Sequence, residues 1–389
     1  MKAQLLINAR IVFADHIRED ASLLIENGVI AAINPNHTTH AEVIDLNGQL
    51  LMPGLIDLHC DALEKEVEPR PGVQFPLAFA CAQVDRRNAA AGITTVYHAL
   101  SFANHELGVR NNDTAAELAR AVNQWNQRAL VDNRIHVRYE VTDETAPPIL
   151  SNLLMQGQAQ MISFMDHTPG QGQFKDVAAF RAFHARTYRK TDDELDAMLA
   201  EKQQKAAGAF ERIEYLAAIA RDSGVAIASH DDDNPERITT VKEVGTTISE
   251  FPINHETAKA AQTQGLYTVF GAPNVLRGQS QSGSMRAIDA IIAGVADCLC
   301  GDYSPAALLP AAIQAADLAD ISLPEAIRLV TLNPAKAAGL NDRGEIREGL
   351  RADLIAVDEI SGMPQATQVW VAGSPVLDTQ YPFNMALAG

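Results

Sequence analysis

The chain has 389 residues, 47% of them hydrophobic, which is enough to bury a large core and excludes disorder as its dominant state. Its 31 basic and 49 acidic residues leave a net charge of −18, which excludes nucleic acid and anionic membranes as partners and leaves an anionic small molecule dependent on local cations. Four cysteines are too few for a disulfide framework in a chain this long and read as core thiols in a reducing compartment.

The N-terminal stretch MKAQLLINARIVFADH lacks the apolar segment and cleavage site of a secretory signal, and no stretch reaches about 20 uninterrupted apolar residues. A soluble cytoplasmic protein is therefore expected. The first fifty residues read as short strands, QLLINARIVF, SLLIENGVIAAI and EVIDLNGQLLM, with turns at Asn27-Gly28 and Asn47-Gly48. GEIREGLRADLIAVD and ATQVWVAGSPVL repeat that style near the C-terminus. The two ends, 1–52 and 343–389, thus predict one small β-sandwich domain flanking a long middle, 53–342.

The middle alternates apolar strand-type runs with helix-type segments, the pattern of parallel βα units. Eight strands are predicted: GLIDLH, GITTVYHAL, IHVRYEV, AQMISFMDH, VAIASHD, GTTISEFP, GLYTVFGAPN and CLCGDY. Helices are predicted over 112–130, 193–221, 255–264, 284–294 and 305–318, and Ser322 with Glu325 predicts a capping box ahead of AIRLV. Eight βα units predict an α/β fold, a TIM-like (β/α)8 barrel, with an open doubly wound sheet as the alternative. The connection 168–224 is too long for a plain crossover and reads as a lid over the site or a helical excursion.

Chemistry collects at the strand ends: His59 and Asp61, Glu140, Asp166 and His167, His230 with Asp231 and Asp232, Glu250, and Asp302. In a parallel barrel these ends share one rim, so distant residues converge there. His59 and Asp61 stand two apart and leave an extended strand from the same face, whereas Cys60 between them points the other way. A lone His-x-Asp is commonplace on surface loops; it gains meaning from the other strand ends. His59, Asp61, Glu140, His167, His230 and Asp302 form the expected metal set, for one or two divalent ions, with zinc first and manganese or iron as alternatives. Asp302 is also the expected general base, against a competing role as the cap of the helix near Pro305. Arg138 beside Glu140 offers a plain ion pair, and Asp166, Asp231 and Asp232 read as partners of ligands or as caps. His98, His105, His136, His184 and His255 read as ordinary surface or core residues.

The stretch GAPNVLRGQSQSGS, 271–284, combines glycines, hydroxyls and Arg277 ahead of the helix in MRAIDAIIAG. Such a loop can present N–H groups and a helix dipole to phosphate, although no Gly-Lys-Ser/Thr marks a Walker A loop. The expected phosphate contacts are Arg277, Ser280, Ser282 and Gly283, with Arg70 from the first strand's loop. A merely flexible loop is the competing reading.

PGLIDLH, the split β domain and GEIREGLRADLIAVD together resemble the amidohydrolase superfamily, metal-dependent hydrolases on a (β/α)8 barrel. That superfamily usually opens its site with His-x-His, where this chain has Asp61. HCD, SFMDHTPGQGQF, ASHDDD, ISEFP, GAPNVLRGQSQSG and DYSPAALL are similar to a narrower branch, the phosphonate-degradation diphosphatases. That resemblance implies hydrolysis of a sugar 5-triphosphate, releasing pyrophosphate and leaving the 5-monophosphate. The alternatives are an amide or cyclic-amidine hydrolase and, in another class, a metal-free barrel serving as a binding or scaffold protein. The sequence does not fix the oligomeric state, and a homo-oligomer stays open.

Overall fold

The computed structural model describes residues 2–36, 40–103, 111–166, 178, 181, 191–280 and 283–381. Strands β1 (Gln4–Val12), β2 (Ile17–Glu26), β3 (Val29–Ile33), β4 (Glu42–Asp45) and β5 (Leu50–Pro53) precede a barrel, and β14 (Leu354–Ile360), β15 (Met363–Val371) and β16 (Ser374–Asp378) follow it. These strands from both ends share one sheet in the order β16-β15-β14-β5-β1-β2-β3, with β4 paired to β1. Its β2–β3 hairpin turns on Asn27 (φ 51°) and Gly28 (φ 83°), the two left-handed positions a type I′ turn requires. Leu6, Ile11, Leu23, Ile30, Leu354 and Trp370 form its core, and Trp370 Nε1 donates to Gln4 Oε1 at 3.0 Å, joining the two ends of the chain.

The barrel strands run in parallel and in chain order: β6 (Leu55–Cys60), β7 (Ile93–Phe102), β8 (Asp132–Glu140), β9 (Met161–Met165), β10 (Ala226–His230), β11 (Ile248–Glu250), β12 (Tyr267–Gly271) and β13 (Cys298–Cys300). All eight fall within the strands predicted from sequence or overlap them by most of their length. The barrel closes through the main chain, where Asp302 N donates to His59 O at 2.8 Å and Asp61 N donates to Asp302 O at 2.9 Å. Both faces of the strands are covered, which is why they read as continuous apolar runs. Ile56, Leu58, Tyr97, Met161, Ile248 and Val269 pack with Ala335 of the helix Leu332–Ala337, whereas Cys60 sits in a separate cluster with Val96, Leu299 and Leu308. Cys60 therefore faces the helix layer, as the alternation about His59 predicts, and all four cysteines are free and buried.

The stretch 193–221 is two helices, Asp192–Ala206 and Ala209–Asp222, because Gly208 takes a left-handed φ of 83° between them. Thr191 and Glu194 form a capping box on the first of these, and Ser322 and Glu325 form the one expected further on. Leu216, Ala217 and Ala220 of the second pack with Leu150, Leu153 and Ile162, and Arg212 Nη2 donates to Val141 O at 2.8 Å. This helix is thus the ordinary crossover between β9 and β10, and the excess length of the 168–224 connection precedes it. Its glycine-rich opening, expected as a lid, lies outside the described residues. Among the described residues no helix is long and apolar enough to cross a membrane.

Candidate metal and phosphate site

The ends of β6, β8, β10, β11 and β13 bring one cluster of charged and imidazole side chains to the rim of the barrel. His59 is 1% exposed; its Nδ1 lies 3.0 Å from Glu250 Oε1 and its Nε2 3.4 Å from Asp61 Oδ1. Burial opposes a charge on this ring most strongly, and Arg138 adds to that, but the Glu250 and Asp61 carboxylates together outweigh both and raise the His59 pKa to about 10. Burial pushes Glu250 up, and His59 and His136 pull it down further, to about 2. These shifts favour an imidazolium–carboxylate pair, and a divalent cation held there would compete with that ring proton.

One nitrogen each from His59 and His230 and one oxygen from Glu250 lie within 4.8 Å of one another. Glu250 Oε2 is buried and has no hydrogen-bond partner among the described residues, an arrangement costly for a carboxylate unless a cation completes it. Two imidazoles and an orphaned carboxylate oxygen fit a divalent ion of the zinc, manganese or iron type.

Arg138, on β8, donates from Nη1 to Asp61 Oδ1 at 3.1 Å and from Nη2 to His230 Nε2 at 3.3 Å. The ion pair expected to hold Glu140 is here made with Asp61. Asp61 therefore already has a cationic partner, and His230 turns Nδ1 toward Asp231 Oδ2 at 3.2 Å. Glu140 is buried at the end of β8, where its Oε1 accepts from Thr142 Oγ1 at 2.8 Å. His167 lies outside the described residues.

Asp302 meets the cluster through the barrel closure, and the N-cap position of the short 3-10 helix at Pro305 falls to Ser304, whose side chain makes no cap bond, rather than to Asp302. Burial raises its pKa and the neighbouring Asp61 carboxylate raises it further, which makes it a better proton acceptor than an ordinary carboxylate. Its turn rests on Asp57, whose Oδ1 accepts from Gly301 N at 2.8 Å and His59 N at 3.1 Å, while burial raises the Asp57 pKa to about 7. A Cβ on Gly301 would stand 2.3 Å from Asp57 Oδ2 and 2.8 Å from Pro305 Cα. Gly301→Ala is therefore expected to destabilise the protein by at least ~1–3 kcal/mol, measured by denaturant unfolding. An unchanged unfolding midpoint would show that the turn moves freely.

Three residues complete the cluster beyond the set expected from sequence. Glu250 carries its one visible signal, a carboxylate ending a buried strand. His136, read as an ordinary histidine, stacks edge-on to His59 with ring centres 5.2 Å apart. The Leu58 carbonyl can only accept, so His136 Nδ1 donates to it at 3.1 Å and Nε2 accepts from Ser163 Oγ at 2.8 Å. Burial holds the His136 pKa down to about 4, so the ring is a neutral wedge. Phe251 packs edge-on to both His59 and His230, with ring centres 5.1 and 5.2 Å away. Asp231, Phe251 and Asp302, each one or two residues past a strand end, take φ of 54°, 54° and 50°. For a bulky residue such as Phe251 that conformation is strained, and it persists because the two imidazoles fix the ring.

The stretch 271–284 differs from the reading as a continuous glycine-serine loop. Pro273 pre-sets φ at the start of a helix, Ala272–Arg277, which ends at Gly278 with φ 66°. Arg277 thus stands in a last helical turn, and the next helix, Ala287–Ile292, begins after Arg286, with its Ala287 N donating to Asn274 Oδ1 of the preceding helix at 3.0 Å. Side chains, not a helix N-terminus, are what this segment offers an anion. Ser280 is half-buried, Gly283 takes φ 79°, Ser282 lies outside the described residues, and Arg70 is exposed in a turn closed by Val73 N to Arg70 O at 2.9 Å.

A (β/α)8 barrel with histidine and carboxylate side chains at its strand ends, carried with a β domain built from both termini, defines a hydrolase scaffold of the amidohydrolase type, whose members typically bind divalent metals. The amidohydrolase family profile matches residues 175–377, and the chain belongs to that family. It is 34% identical over 375 residues, 95% of this chain and 99% of the relative, to the alpha-D-ribose 1-methylphosphonate 5-triphosphate diphosphatase of Escherichia coli strain K12. The imidazolonepropionase of Thermoplasma volcanium is 23% identical over 404 residues, 94% and 93% of the two chains. Among solved structures, N-isopropylammelide isopropylaminohydrolase from Burkholderia multivorans superposes with a TM-score of 0.66 at 17% identity, covering 97% of this chain and 99% of that one. N-acetylglucosamine-6-phosphate deacetylase from Pasteurella multocida superposes with a TM-score of 0.64 at 14% identity, covering 96% and 99%.

Proposed function

We propose that the chain hydrolyses alpha-D-ribose 1-methylphosphonate 5-triphosphate to the 5-monophosphate and pyrophosphate, a step of phosphonate degradation. The observation that carries this reading is the end-to-end 34% identity with a diphosphatase of that substrate. His59, His230 and Glu250 would hold the cation, with Asp61, Glu140, His167 and Asp302 as further ligands from the rim. A divalent ion bound there, zinc foremost, supplies positive charge at the phosphoryl oxygens and acidifies water. Asp302 accepts the proton of the attacking water, whose oxygen bonds to the α-phosphorus. The bond from that phosphorus to the α–β bridging oxygen breaks, and its electron pair leaves with pyrophosphate. Arg277, Ser280, Ser282, the Gly283 N–H and Arg70 bind the phosphate oxygens on which charge builds.

The test is ³¹P NMR of the metal-loaded protein with the ribose 5-triphosphate. The α, β and γ signals should give way to one pyrophosphate line and one monophosphate line. Arg277→Ala should lower kcat/KM for the triphosphate by ~10–100-fold, the scale of a charge-assisted hydrogen bond, and leave a neutral amide nearly untouched. The second reading is a cyclic-amide or amidine hydrolase, favoured by the similarity over 94% of the chain to an imidazolonepropionase. Unchanged phosphorus signals beside turnover of a cyclic amide would put that reading first.

A further inference from the structure

Three side chains meet at Tyr303, the residue after Asp302, and the reading above uses only one of them. Arg277 Nη1 donates to Tyr303 Oη at 3.1 Å, and Lys65 Nζ stands 5.1 Å from the centre of the Tyr303 ring. Lys65 comes from the helix Ala62–Val67 after β6, Tyr303 follows Asp302 beyond β13, and Arg277 ends the helix after β12. Three consecutive strand ends, on either side of the barrel closure, therefore direct them to one place. Among the described residues neither Lys65 nor Arg277 pairs with a carboxylate, although the chain carries 49 acidic residues against 31 basic ones. Two cations with no carboxylate at ion-pair distance among the described residues, set about one aromatic ring, form a local positive field in an acidic protein. Lys65 is near enough to Asp302 to act on its carboxyl.

We propose that Lys65, Tyr303 and Arg277 form a single polyanion subsite that grips the β- and γ-phosphates, the part of the substrate that departs as pyrophosphate. This rests on the reading of the chain as a triphosphate hydrolase. With the α-phosphorus beside Asp302, the next two phosphates extend past Tyr303, and the two cations flank that path. Tyr303 Oη accepts from Arg277, so its own O–H remains to donate to a phosphate oxygen. The guanidinium can take two oxygens at once, and the ammonium serves as a compact charge on the other side. As the α-phosphorus to bridging-oxygen bond breaks, the electron pair adds negative charge to the departing group. The subsite then binds the transition state more strongly than the ground state, so its loss lowers kcat as well as raising KM.

The experiment measures binding of inorganic pyrophosphate and of inorganic phosphate to the metal-loaded full chain by calorimetry, for wild type, Lys65→Gln, Arg277→Gln and the double variant, at equal metal content. Each single variant should weaken pyrophosphate by ~10-fold or more, the scale of one charge-assisted contact, and phosphate far less. The double variant should lose less than the product of the two, because both act on one ligand. Equal pyrophosphate affinity in wild type and Lys65→Gln overturns the subsite, as does an equal loss for phosphate and pyrophosphate. Lys65 is exposed, so the variant keeps the wild-type melting temperature. A wild type that cleaves no triphosphate yet binds pyrophosphate through Lys65 overturns the hydrolase reading and upholds the subsite. Cleavage of triphosphate with pyrophosphate binding indifferent to Lys65 does the reverse.

Discussion

Glu250→Gln should strip the protein of its metal. The glutamine has nearly the same shape and can still meet His59 Nδ1, so what it removes is the negative charge of a buried oxygen that has no hydrogen-bond partner among the described residues. Replacing outer partners of metal ligands already costs ~10–100-fold in affinity, and loss of a ligand atom should exceed that. The measurement is metal content after dialysis against a graded chelator series, read by elemental analysis. A second readout comes from melting curves: bound metal stabilises wild type by mass action, so a chelator should lower its melting temperature and leave Glu250→Gln unmoved. The metal-free variant should also melt below metal-free wild type, because removing one member of a buried charged pair costs about 3–5 kcal/mol. Wild-type metal affinity in Glu250→Gln would reduce Glu250 to a group that orients His59. The same series on Asp61→Asn separates its two neighbours, since Arg138 already neutralises that carboxylate.

The barrel is legible in the sequence because strands buried on both faces leave continuous apolar runs, each ending where a polar rim residue begins. Alternation along one strand also places Cys60 away from His59 without any coordinates. The site is legible only in part, since strand-end positions reveal which residues share a rim but not which side chains converge. Glu250 shows the difference: SEFP looks like a strand end lacking its histidine, yet the pairing of His230 with Glu250 across β10 and β11 sets the carboxylate beside His59. His136 and Arg138 lie inside a strand, where nothing local marks them as facing the bore rather than the helices. Arg138 was paired from sequence with its near neighbour Glu140, whereas its guanidinium reaches Asp61, 77 residues away in the chain. The helix inside 271–284 is hard to read locally, because glycine and serine set the look of the stretch while Pro273 starts a helix.

Asp302→Asn should lower turnover by ~10²–10⁴-fold, the usual contribution of a positioned general base, while leaving the fold intact. The fold is safe because the barrel closes through Asp302 N and O, and the side chain takes no part in those bonds. Asparagine also tolerates the left-handed φ of 50° about as well as aspartate does. The chemistry is not safe, since the amide oxygen cannot take a proton from water and keep it. Burial and Asp61 both favour the protonated carboxyl of Asp302, and an amide has no such state to favour. Single-turnover kinetics on the ribose triphosphate, with melting temperature and metal content measured on the same sample, isolate the effect. A large loss in kcat with both controls unchanged assigns the proton to Asp302. Near-normal turnover would move the base elsewhere on the rim, and a parallel loss of metal would make Asp302 a ligand first.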